Sequence, residues 1–126
     1  MAQVKFDPST NNLVVEVHLE GKFSQNVYFV LDTGASFTIL PWRLAQELGL
    51  KIDPQKTAKI ITASSIETTL MTTVPKMSVL GKTARNVACL VHDLPPQTTV
   101  DGLLGLSFLK NFKLTVDFKK GVLSLE

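Results

Sequence analysis

Tyr28-Phe29-Val30-Leu31-Asp32-Thr33-Gly34-Ala35-Ser36 is the stretch whose reading decides the fold. Its first four residues are apolar and end at a turn signal, which predicts a strand buried on both faces. Asp32 stands at the mouth of that strand. A carboxylate buried there is costly unless it is paired or hydrogen-bonded. Thr33 supplies a hydroxyl, Gly34 lets backbone or a ligand come close, and Ala35 leaves room. One reading is an ordinary strand-to-turn Asp capping its own backbone. The other is a functional acid presented at the end of a strand. The tripeptide alone favours the first, whereas the apolar run before it and the features downstream favour the second.

Upstream, Val4-Lys5-Phe6 reads as a short strand, followed by a turn over Asp7-Pro8-Ser9-Thr10-Asn11-Asn12. From Leu13 to Glu20 the pattern alternates, with Val15, Val17 and Leu19 on one face and Glu16, His18 and Glu20 on the other. That is a half-buried strand with His18 facing solvent. Downstream, Phe37 to Leu40 is a second short strand. Pro41 then opens a helix whose buried face carries Leu44 and Leu48, and Gly49 ends it. Trp42, on the first turn, belongs to the core or to an interface. Lys51 to Lys56 reads as a polar loop containing Pro54.

Next come Ala58 to Thr62 and the β-branched run Ile66 to Val74, joined by Ala63-Ser64-Ser65. Together they predict an exposed hairpin with a small-residue tip. Met77 to Leu80 and Asn86 to Val91 are further strands. His92-Asp93 is a loop pair, since a metal site would need more ligands at suitable spacing. After the stiff Leu94-Pro95-Pro96 loop, Val100 to Leu106 is another apolar strand. A short helix over Ser107–Asn111 and a terminal hairpin of Lys113–Phe118 and Val122–Leu125 complete the chain.

Many short strands and one or two short helices predict a mostly-β fold, a closed barrel or sandwich, in one domain spanning residues 1–126. Thirteen basic residues against eleven acidic ones leave a net charge of +2, which gives no reason to invoke nucleic acid or an anionic membrane. Lys110, Lys113, Lys119 and Lys120 mark a solvated face. The single cysteine, Cys89, shares its strand face with Val87 and Val91 and reads as a small buried apolar residue. No signal peptide is visible after Met1, and no apolar run approaches the length needed to span a membrane. A cytoplasmic setting without membrane contact is favoured for this segment, with a removed signal or anchor left open.

Three features fall in order: an apolar strand ending in Asp32-Thr33-Gly34-Ala35, a mid-chain hairpin, and a second apolar strand ending in Leu103-Leu104-Gly105 before a short helix. This order resembles the retropepsin-like aspartic proteases, in particular their non-viral bacterial and eukaryotic branch. The resemblance runs from about Leu13 to Leu125, and residues 101–109 resemble the group's apolar-apolar-Gly signature. It implies one retropepsin-like lobe per chain, with Asp32 as the catalytic carboxylate. Thr33 would be the residue whose hydroxyl braces its counterpart across a two-fold axis, and Gly34 would expose backbone to an extended substrate. Leu103, Leu104 and Gly105 would pack beneath the catalytic loop. Ala35 and the flap residues Ile61, Thr62, Ala63, Ser64 and Ser65 would bind substrate. Family flaps often carry glycine at the tip, whereas this one has Ala63-Ser64-Ser65.

Peptide hydrolysis of this type needs two carboxylates, one neutral and one ionised, sharing a proton. Asp101 is the only other acid near a comparable turn, and it lacks a following hydroxyl-Gly pair. A homodimer that sets Asp32 beside its symmetry mate satisfies the chemistry. Val4–Phe6 and Val122–Leu125 are the expected dimer-forming edges, and Ile39, Val74 and Leu80 the expected pocket walls. Water is the nucleophile, so no cofactor or metal is implied. The function expected is an aspartic endopeptidase acting on an extended polypeptide. The alternative is a retropepsin-fold module that binds peptide or dimerises with little or no activity.

Overall fold

The computed structural model describes residues 2–61 and 63–126. Ten strands and two short helices make two sheets. A three-stranded sheet has the order β1 (Ala2–Lys5), β10 (Val122–Leu125), β9 (Leu114–Asp117). The larger sheet runs β2 (Val14–Glu20), β3 (Ser24–Leu31), β8 (Gly102–Leu104), β4 (Thr38–Leu40), β7 (Lys82–Val91), β6 (Ile66–Val79), β5 (Ile52–Ile61). The end of β6 also pairs with β2, Val79 opposite Val17 and Met77 opposite Leu19. That pairing closes six strands into a barrel and leaves the β5–β6 hairpin projecting from it. The fold is the mostly-β barrel that the strand pattern predicts.

Alternation fills the barrel. Val15, Val17 and Leu19 of β2 point inward beside Val27 and Phe29 of β3, all buried. Leu40, Val74, Met77, Cys89 and Leu104 add to the same core. A fully buried side chain of this size contributes about 1.5–3 kcal/mol. Cys89 is a filler of this core, as its neighbours predict, and burial pushes its thiol pKa up. Helix α1 (Trp42–Glu47) packs Leu44 and Ala45 inward. It ends as the sequence predicts: Gly49 has φ +68°, and the Leu50 N–H reaches back to the Ala45 carbonyl at 3.0 Å. Pro41 stands one position before the first helical residue, and the Trp42 N–H donates to Asp93 Oδ1 at 3.1 Å. Asp93 is thus a helix cap supplied from a distant loop. Helix α2 (Leu106–Leu109) buries Ser107, Phe108 and Leu109.

Several expectations are corrected. Residues 28–31 do not form a strand buried on both faces, because Tyr28 is 53% exposed and β3 alternates. The polar stretch 51–56 is not a loop but mostly strand. β5 begins at Ile52 opposite Thr72 and bulges at Asp53–Lys56, which stand against Met71 alone. Met77–Leu80 is not a separate strand, since β6 runs unbroken through Pro75. Val122–Leu125 is not an edge, because β10 lies between β1 and β9. Trp42 lies at the surface, 39% exposed, and not in the core. His18 does lie on the solvent face of β2, as the alternation predicts, its side chain 38% exposed; its Nδ1 meets Asn26 Oδ1 at 2.6 Å and its Nε2 meets Glu20 Oε1 at 3.0 Å. Those two acceptors hold the imidazole pKa above its ordinary value. No helix among the described residues is long and apolar enough to cross a membrane.

Candidate active site

The strand order creates the site. β8 runs between β3, to which it is parallel, and β4, to which it is antiparallel. The chain leaving β3 must therefore cross the end of β8 to reach β4, and the crossing segment is Asp32–Phe37. Beneath the crossing, the Asp32 N–H donates to the Leu104 carbonyl at 2.9 Å, and the Leu106 N–H donates to the Ala35 carbonyl at 2.8 Å. Gly105 occupies the point of closest approach. A Cβ there would lie 2.4 Å from the Phe37 carbonyl oxygen and 2.7 Å from that of Ala35, so only glycine fits without moving backbone.

A buried hydroxyl pair locks this floor. Thr38, fully buried, accepts the Gly105 N–H at 3.1 Å and the Ser107 hydroxyl at 3.2 Å through Oγ1. The Thr38 N–H donates to Ser107 Oγ at 2.9 Å. Each buried polar group is thereby satisfied, which is what a rigid support requires.

Asp32 itself is half-buried, and its Oδ1 accepts the Gly34 N–H at 2.9 Å. The carboxylate faces an open cleft of about 450 Å³. Gly34, Ala35, Ser36 and Phe37 form one wall, and Ile39, Leu90 and Leu103 form an apolar floor. Lys59, Ile60 and Ile61 of the projecting hairpin form the roof. Among the described residues, Asp32 is the only acidic one that lines this cleft. On the other side of the same loop a second cleft, about 360 Å³, is lined by Asn12, Leu31, Asp32, Thr33, Val116 and Phe118, among others.

The predicted residues separate into groups. Asp32, Gly34, Ala35 and Ile61 meet at the first cleft, whereas Thr33 turns to the second. Ala63, Ser64 and Ser65 are exposed at the hairpin tip and do not line the first cleft. Thr62 lies outside the described residues. Leu104 and Gly105 are buried beneath the loop as expected, but Leu103 turns into the cleft. Of the expected walls only Ile39 is one, since Val74 is buried in the barrel and Leu80 sits in the β6–β7 turn with φ +50°. Leu90 and Ile60 were missed, although strand alternation around Cys89 and along β5 could have pointed to them. Asp101 has a structural role: its Oδ2 accepts the Tyr28 N–H at 2.8 Å, and its own N–H donates to the Tyr28 carbonyl at 2.7 Å.

An activated water attacking a carbonyl needs a base and an acid, and this cleft supplies one carboxylate. Residues 15–108 match the family described as aspartyl protease. A retropepsin-like aspartic protease from Rickettsia conorii is similar in structure, with TM-score 0.68, 25% sequence identity and 98% of each chain covered. No curated protein matches the chain.

Proposed function

We propose that this chain, which belongs to the aspartyl protease family in its retropepsin-like form, is one half of a homodimeric endopeptidase. The observation that carries the proposal is the Asp32 carboxylate, the one acid among the described residues that line an open cleft floored by Ile39, Leu90 and Leu103. Two copies of Asp32, one from each chain, would share a proton. The ionised member takes a proton from water as that water attacks the scissile carbonyl. The neutral member hydrogen-bonds the carbonyl oxygen as negative charge develops on it. Like charges that close cannot both ionise, so the pair titrates as a unit and works at acidic pH.

An extended polypeptide lies between the Asp32–Phe37 loop and the β5–β6 hairpin, held by strand-like backbone hydrogen bonds. Gly34 lets the substrate backbone approach, and Ile39, Leu90 and Leu103 offer apolar contact to its side chains. Ile61 and the tip residues Ala63, Ser64 and Ser65 act as the flap. The hairpin is anchored well below its tip: Thr69 Oγ1 donates to the Val91 carbonyl at 2.6 Å, and Thr72 Oγ1 donates to the Lys51 carbonyl at 2.8 Å. Motion is then confined to the outer part of the hairpin, beyond these two bonds.

The test is digestion of an unbiased peptide library at acidic pH by wild type and Asp32→Asn side by side. Cleavage by wild type and none by Asp32→Asn, with both dimeric, supports the proposal. Equal cleavage by the two refutes the mechanism. An inactive wild type leaves the peptide-binding module as the better account.

A further inference from the structure

We propose that the cleft at the base of the β5–β6 hairpin is a second ligand site, one that takes a small amphiphile: an unbranched aliphatic chain ending in a carboxylate. The cleft is about 490 Å³, against about 450 Å³ in front of Asp32, and the two share no lining residue. It lies at the Ile52 end of β5, whereas Ile60 and Ile61 roof the Asp32 cleft at the other end. The site stands whether or not Asp32 is catalytic. The bulge in β5 makes the cleft. Ile52 pairs with Thr72 and Thr57 with Leu70, so residues 53–56 stand against Met71 alone and the strand bends there. The segment that follows α1 supplies the facing wall. The Phe23 N–H donates to the Leu48 carbonyl at 3.2 Å, which holds the β2–β3 turn against that segment.

The lining is apolar below and cationic above. Leu50 and Ile52 pack against the barrel core and also line the cleft, and Met71 and Pro75 extend the apolar surface. Three cations border it, Lys22, Lys51 and Lys56, against one acid, Asp53. Asp53 is already engaged, since its Oδ1 accepts the Gln55 N–H at 2.9 Å. No ion pair among the described residues uses any of the three lysines. Two of them are anchored. A Cβ on Gly49 would lie 2.8 Å from Lys22 Cβ, so the Lys22 stem is laid directly on the Gly49 backbone. The Lys51 carbonyl accepts the Thr72 hydroxyl at 2.8 Å. Uncompensated cations around an apolar surface complement a ligand with one anionic head and an apolar body. No aromatic ring lines the cleft among the described residues, so nothing there stacks on a nucleotide base or a sugar. β5 is an edge strand, where lysine discourages strand addition. That accounts for Lys56 but not for Lys22 and Lys51, which lie outside β5.

Titration of the isotope-labelled full chain with octanoate, followed by amide chemical shifts, tests the site. Saturable shifts are expected at Gly21, Gly49, Leu50 and Met71, and none along Asp32–Phe37. The double variant Lys51→Glu, Lys56→Glu raises the dissociation constant about tenfold or more, because two attractions become repulsions. The control Lys110→Glu, Lys119→Glu, also exposed, changes it less than about twofold. Shortening the ligand to hexanoate weakens binding by up to about fourfold for each methylene lost. Should the first double variant lose its folded spectrum, wild type at about 0.5 M salt decides in its place, where screening weakens binding severalfold. Shifts centred on the Asp32 cleft overturn the proposal. So does an unchanged dissociation constant in the Lys51, Lys56 variant, or at high salt where that comparison replaces it. Acetate bound as tightly as octanoate, or no saturable shift up to about 10 mM octanoate, overturns it as well.

Discussion

Replacing Gly105 by alanine puts the geometry beneath the Asp32 loop to a quantitative test. The added Cβ would sit 2.4 Å from the Phe37 carbonyl oxygen, against about 3.4 Å for an ordinary contact. The difference, 3.4 − 2.4, is about 1.0 Å of required movement. The obstructing atoms are backbone atoms of the Asp32–Phe37 segment, so no side chain can rotate to relieve them. Overpacking of this kind costs about 1–3 kcal/mol. At roughly 4 °C per kcal/mol for a chain of this size, Tm falls by about 4–12 °C. The movement passes directly to the loop that carries Asp32, because the Ala35 carbonyl is bonded to Leu106 and the Asp32 N–H to Leu104. A misplacement of about 1 Å costs an active site on the order of 100-fold. Peptidase kcat/KM measured well below the new Tm, alongside the melting curve, gives both numbers. An alanine variant with wild-type kcat/KM and wild-type Tm would refute the claim that Gly105 sets the loop.

Thr38→Val keeps the shape of the buried hydroxyl site and leaves the Gly105 N–H without its acceptor; urea unfolding should report a loss of about 1–3 kcal/mol. A change below about 0.5 kcal/mol would mean the hydroxyl pair does not support the floor. Cys89 is buried in the barrel with its thiol pKa raised by that burial, so the native protein should stay inert to a thiol reagent at mildly alkaline pH and react fully once unfolded. Rapid labelling of the folded chain would contradict the barrel packing.

How much of this was legible in the sequence follows the range of the interactions. The Asp32 loop was readable because its determinants are local: an apolar strand, an acid, a hydroxyl and a glycine in a row. The closure at Gly49 and the burial of Cys89 were readable for the same reason. β5 was not. Its residues 51–56 are polar and include Pro54, and only pairing with β6 across a bulge makes most of them strand. Local propensity yields to such tertiary pairing. Leu103 and Leu104 look alike in sequence, yet alternation sends one to the cleft and the other to the core. The role of the C-terminal hairpin was misjudged because nothing local distinguishes an edge strand from a central one. Val122–Leu125 is central, and the edge beside Asp32 belongs to Leu114–Asp117.

The central claim is that Asp32 is half of an active site. Mixing wild-type chain with Asp32→Asn chain at constant total concentration, after equilibration of the dimers, tests it most directly. If each site needs both carboxylates, only wild-type pairs cleave, and activity follows the square of the wild-type fraction. An equimolar mixture then retains about one quarter of the activity. Retention of about one half, falling in proportion to the wild-type fraction, would mean that one chain suffices and would contradict the account.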